Sequence, residues 1–149
     1  MNKKLNFNGK KLILLGIIIS KKLNNINKEV MEMPNSGLIG PYPLTHEKIY
    51  EVITRTLPGA YILGWISNGT FYVQYVGRSN SDINNRLHFH VGKYESFMFD
   101  YFLSPKSAFE KECELWHNFG GPEGRLDNKN HPDRPDGTNW RCPRCNIFG

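Results

Sequence analysis

The feature that most limits how this chain can fold is a turn signal near its middle. Ser67-Asn68-Gly69 separates two strand-like runs, Ala60–Ile66 and Thr70–Val76. Asn-Gly readily adopts the positive φ angles of a tight two-residue turn, so the two runs are expected to pair as a hairpin. Helical signals flank it. Thr45 can cap a helix from about His46 to Thr56, with Ile49, Val52 and Ile53 on one face and Leu57-Pro58-Gly59 as its stop. Ser79-Asn80-Ser81-Asp82 offers caps to a second helix, on which Ile83, Leu87 and Val91 recur before Gly92. Phe97–Phe102 reads as a third strand. Ser104-Pro105 opens a last helix, which runs to about Phe119 ahead of Gly120-Gly121-Pro122. This order predicts the α+β class: a small three-stranded antiparallel-type sheet flanked by helices.

The chain has 149 residues, 39% of them hydrophobic, enough to fill one ordinary domain core. Residues 1–40 read as an N-terminal appendage, 41–119 as the domain proper and 120–149 as an irregular C-terminal extension. Within the appendage, Lys10-Lys11 and Lys21-Lys22 bracket an apolar run, Leu12 to Ile19. That pattern is similar to a signal peptide, but no small-residue cleavage site follows and the run is too short to span a bilayer. A short strand or helix, or a poorly ordered leader, is the plainer expectation, with no stable membrane association. The net charge of +5 suits an anionic partner such as nucleic acid, although much of the excess lies in the appendage lysines. Three cysteines, two of them in Cys142-Pro143-Arg144-Cys145, point to metal or redox chemistry and to a reducing, cytoplasmic setting.

The last helix carries three glutamates. Ala108, Phe109, Cys113, Leu115, Trp116 and Phe119 gather on one side of it, at about 100° per residue. Glu112 falls near the centre of that apolar face, whereas Glu110 and Glu114 turn toward water. A carboxylate on a buried face is costly without a partner, and a metal ion is such a partner. Glu110 also has a plainer role, because Ser107-Ala108-Phe109-Glu110 matches a capping box.

The hairpin begins Gly59-Ala60-Tyr61 and ends Tyr75-Val76-Gly77. Over about Pro58 to Phe119 the sequence resembles the GIY-YIG nucleases, named for two such tripeptides on paired strands. It departs from them by Ala60 and Val76, each in place of isoleucine. The family carries an arginine on the helix after the second strand, and Arg86 stands there; His90, one turn later, matches a histidine that some members add. Glu112, followed by Leu115-Trp116, fits the family's glutamate. Its asparagine is matched by Asn118, Asn128 or Asn130, with Asn128 nearest the usual spacing. The resemblance implies a metal-dependent endonuclease that hydrolyses phosphodiester bonds in DNA, the expected partner, without choosing DNA over RNA. It implies a catalytic Mg²⁺ or Mn²⁺ at Glu112, phosphate binding by Arg86, and proton handling by Tyr61 beside Tyr75, with His90 as relay or anchor. Each residue alone has an ordinary structural explanation; their order is what points to the family.

Cys113 and His117 lie one helical turn apart. With Cys142 and Cys145 they make a C-x-x-x-H…C-x-x-C set that could close a tetrahedral structural Zn²⁺ site and pin the extension to the last helix. His131 could replace His117. The competing reading is a redox or unpaired C-x-x-C beside a buried free Cys113. Two other functions stay open at this point: a nucleic-acid-binding module of the same fold without cleavage, and a zinc knuckle that binds protein.

Overall fold

Asn68 and Gly69 make the turn, with φ of 50° and 77°. They join strands β2 (Gly59–Ser67) and β3 (Thr70–Ser79), which pair antiparallel from Ser67↔Thr70 to Gly59↔Ser79. The computed structural model describes residues 36–149, which form one unit. The appendage up to residue 35, including the run Leu12 to Ile19, lies outside the described residues.

The class is α+β, but the sheet has four antiparallel strands, not three. Its order is β1-β4-β2-β3, with β4 spanning Ser96–Tyr101 and β1 spanning Ile39–Pro43. β1 holds Pro41 and Pro43, which lack an N–H and read as coil; an edge strand tolerates them because one side needs no donors. A bulge between Leu63 and Gly64 sets Gln74 as the extra residue of β3. Gly64 is required there: a Cβ would sit 1.8 Å from the Tyr72 carbonyl oxygen.

Three helices cover the sheet. α1 (His46–Val52) is capped by Thr45, whose Oγ1 accepts from the Lys48 N–H at 3.1 Å. It stops short of Thr56 because the next amides have other acceptors: Thr54 and Arg55 donate to the Tyr101 hydroxyl at 3.0 and 3.3 Å. α2 (Ile83–His88) is capped by Asp82 and gives way to turns before Gly92. α3 (Pro105–Asn118) starts at Ser104, whose Oγ accepts from the Ser107 N–H. The capping box expected at Ser107 is therefore absent, and Glu110 pairs instead with Lys106 at 3.8 Å.

Alternation along the strands divides the core. Tyr61, Leu63, Phe97 and Phe99 pack with Leu44, Ile49, Ile53, Ile83 and Leu87, beneath α1 and α2. Ala60, Ile62, Val76 and Met98 alternate with them and face the other way, where α3 lies against β2 and β3. The extension after α3 has no regular element. It crosses the free edge of β3, where Asp127 donates its N–H to the Gln74 carbonyl at 2.7 Å, and returns to α3 through Trp140 and Phe148 on Phe109.

Candidate active site and metal centre

Tyr61 and Tyr75 project from one face of the hairpin, their rings nearly parallel with centroids 6.4 Å apart. Gly77 makes room for them. A Cβ there would meet the Tyr61 ring and hydroxyl at 2.4 Å, so Tyr61 packs where only a glycine leaves space. His90 sits in the turn after α2, with Nε2 2.9 Å from the Tyr61 hydroxyl and its ring 5.0 Å from that of Tyr75. Tyr94 extends the group: its ring is 5.9 Å from Tyr75 and its hydroxyl donates to Asp127.

Burial pushes the Tyr61 phenol well above the usual tyrosine value, and Tyr75 adds to that; the Arg86 guanidinium pulls the other way. Tyr75 is raised by burial and by Glu112, again against Arg86. Burial, with the charges of Arg86 and Lys93, pushes His90 down to about 4. At neutral pH the imidazole is therefore neutral and the phenol protonated, so the Tyr61 O–H donates and His90 Nε2 accepts.

Glu112 lies on the inner face of α3, only 9% exposed. Burial raises its carboxyl, while Arg78 first and then Arg86 hold it down. Arg78 Nη1 donates to Glu112 Oε2 in a largely buried ion pair. The other two glutamates behave as surface groups: Glu110 pairs with Lys106 and Glu114 with Lys111. A cleft of about 420 Å³ is lined by Arg78, Ser79, Asn80, Arg86, Glu112 and Asp133. It opens where β3 ends, at the sheet edge. Two guanidinium groups lie beside the Glu112 carboxylate there, so the cleft could take an anionic group.

The three asparagines separate. Asn128 bonds both backbone groups of Val76, accepting from its N–H at 3.2 Å and donating to its carbonyl at 2.9 Å. Its amide thus stands in for a missing strand between Tyr75 and Gly77. Asn118 accepts from Arg144, and Asn130 is exposed.

Beyond α3, one donor atom from each of His117, His131, Cys142 and Cys145 lies within 4.8 Å of the others. This cluster could hold a metal ion such as zinc. Three expected donors are present, but His131 takes the place given to Cys113. The reason is packing: Cys113 is fully buried against Phe109 and Cys142, and desolvation drives its thiol well above the usual range. His117 Nε2 is buried and has no hydrogen-bond partner, which a metal ion would supply. His131 Nε2 is 3.4 Å from Cys145 Sγ, and its Nδ1 lies 2.7 Å from the Pro132 carbonyl. For zinc–ligand bonds of about 2.0–2.3 Å, a tetrahedron's edges are about 3.3–3.8 Å, which matches that separation.

Two residues escaped the sequence reading. Arg78 follows the second tripeptide at the end of a strand, where an arginine is ordinarily solvated. Asp133 lies in a stretch without periodicity. The only signal available was the position of Arg78 directly after Gly77. Comparison with family models, with curated proteins and with solved structures gives no match for this chain.

Proposed function

We propose that residues 36–149 form a metal-dependent endonuclease of the GIY-YIG kind, which hydrolyses phosphodiester bonds in DNA. The observation that supports the reading is two groups at one end of the hairpin: Tyr61, Tyr75 and His90 in mutual contact, and Arg86 and Glu112 lining one cleft. Residues from two strands, a turn and two helices converge there, and the cleft beside them holds the charges a phosphodiester requires. Arg86 binds the phosphate and opposes the charge that grows on it. Glu112 would hold a divalent cation, which with its own waters would neutralise phosphate charge and orient the attacking water. That water gives up its proton to solvent, while Tyr61, fully buried and donating to His90 Nε2, fixes the ring of Tyr75 beside it. The water oxygen bonds to phosphorus, the bond to the leaving oxygen breaks, and the leaving oxygen takes up a proton from solvent.

The His/Cys cluster is assigned to structural zinc, with His117, His131, Cys142 and Cys145 as ligands. Two imidazoles and two thiolates close the tetrahedron and leave no open position for a reacting water.

Cleavage of labelled DNA and RNA oligonucleotides with Mg²⁺ or Mn²⁺ tests the reading. Glu112→Gln is expected to cut at least about 100-fold more slowly while binding DNA as the natural protein does. Salt-sensitive DNA binding without cutting by the natural protein would favour a binding module instead.

A further inference from the structure

Arg78 has four neighbours, and they come from three parts of the fold. Nη1 donates to Glu112 on α3, and the guanidinium lies 5.1 Å over the Phe109 ring on the same helix. Nε donates to Asn80 Oδ1 at 2.9 Å, just past the end of β3. Nη2 donates to the backbone carbonyl of Asp133 at 2.7 Å, in the C-terminal extension. The three bonds together fix the rotation of the fork, and the last contributes only if the backbone of its carbonyl is held.

The backbone there has little of its own to hold it. Among the described residues, no backbone–backbone hydrogen bond involves residues 128–134. On the C-terminal side Arg134 helps, with its N–H donating to Asp133 Oδ1 at 3.0 Å and its Nη1 to the Trp140 carbonyl at 2.9 Å; on the N-terminal side the metal cluster remains. His131 is a cluster member, its Nδ1 meets the Pro132 carbonyl, and Pro132 is buried with a fixed φ. Asp133 comes next. A hydrogen bond from Nδ1 also leaves Nε2 as the atom that faces the cluster, the usual arrangement of a ligating histidine. A second tie runs beside the first. Cys113, next to Glu112, packs on Cys142, another cluster member.

We propose that the metal centre aims Arg78 at Glu112, through His131, Pro132 and the carbonyl of Asp133, so that Arg78 is a positioning residue under the control of that centre. The proposal rests on the nuclease reading for what Glu112 does, and on geometry alone for how Arg78 is held. The extension is then a wall of the reaction cleft and a brace for its carboxylate. When the metal leaves, the Asp133 carbonyl is held less firmly, the guanidinium loses one of its three hydrogen bonds and rotates faster, and Glu112 faces a looser partner.

The guanidinium signals of Arg78 in ¹⁵N NMR read this directly in the full chain, without nucleic acid. Loaded with zinc, Arg78 is expected to show two separate sets of Nη–H signals. Cys145→Ser should remove zinc and merge them by rotation, while the Arg86 signals stay as they were. His131→Cys covers the case in which Cys145→Ser fails to fold: it keeps a metal donor but deletes the imidazole link to Pro132. That variant should retain zinc and still merge the Arg78 signals. It should also slow cutting about tenfold through kcat, with KM nearly unchanged. Separate Arg78 signals in zinc-loaded His131→Cys would overturn the proposal, as would equal loosening of Arg86. Should Arg78 respond as expected in a protein that cuts nothing, the nuclease reading falls and this inference stands.

Discussion

Glu112 and His90 show how one environment sets opposite demands on two side chains. Burial raises the Glu112 carboxyl and lowers the His90 imidazole, and both are thereby pushed toward neutrality. Arg78 and Arg86 resist this for Glu112, whereas Arg86 reinforces it for His90. The histidine therefore couples stability to pH. The folded-state value of about 4 is below the unfolded value of 6.5, so the unfolded chain binds the proton first as pH falls. Stability from His90 is complete above pH 6.5 and is lost progressively toward pH 4. Urea unfolding between pH 4 and 7 should show this slope, and His90→Gln should flatten it; an unchanged slope would contradict the neutral-imidazole assignment. Glu112 was legible because helical phase alone separates it from Glu110 and Glu114. Arg78 was not, because the sequence contains no sign that an arginine at a strand end will turn inward to α3.

Elements fix the spacing of these groups. The hairpin was legible from its turn, and the Tyr61–Tyr75 pair follows from strand alternation once the strands align. The bulge at Leu63/Gly64 was not legible, since it depends on which residues face each other across strands. β1 was missed for a plainer reason: its two prolines suit only an edge, and an edge is defined by its neighbours. Helix α1 ended early because Tyr101 captured the amides that would have continued it. Gly77 gives the test at this scale. Gly77→Ala must push Tyr61 away from His90, since the added Cβ would lie 2.4 Å from its ring. We expect destabilisation of about 1–3 kcal/mol in denaturant melts together with a changed His90 NMR signal. A variant as stable as the natural protein would show that Tyr61 is packed more loosely than described.

Across residues 36–149, the extension binds the sheet edge to α3 with side chains in place of regular structure. Asn128 pairs with Val76, the Trp116 indole donates to the Asn128 carbonyl at 3.0 Å, and the cluster of His117, His131, Cys142 and Cys145 joins the far end. Spacing alone found three of those four residues. It misplaced Cys113 because helical phase reports which face a residue takes, while burial against Phe109 and Cys142 depends on the path of the tail. Zinc removal should therefore act on the whole unit. A strong chelator is expected to lower the thermal midpoint by roughly 5 °C or more and to expose Trp140 and Trp116, seen as a red shift of tryptophan emission. An unaltered melt after complete zinc loss would remove the structural role. Among the described residues, no helix is long and apolar enough to cross a membrane.

The most direct test of the central claim is nicking of supercoiled plasmid in Mg²⁺ by the natural protein, Glu112→Gln and Arg86→Ala. Relaxed circles are expected from the natural protein and a loss of at least about 100-fold in each variant, with folding unchanged by circular dichroism. Cutting by either variant at the natural rate would contradict the assigned site, and the absence of cutting by all three, on plasmid and on RNA, would contradict the nuclease itself.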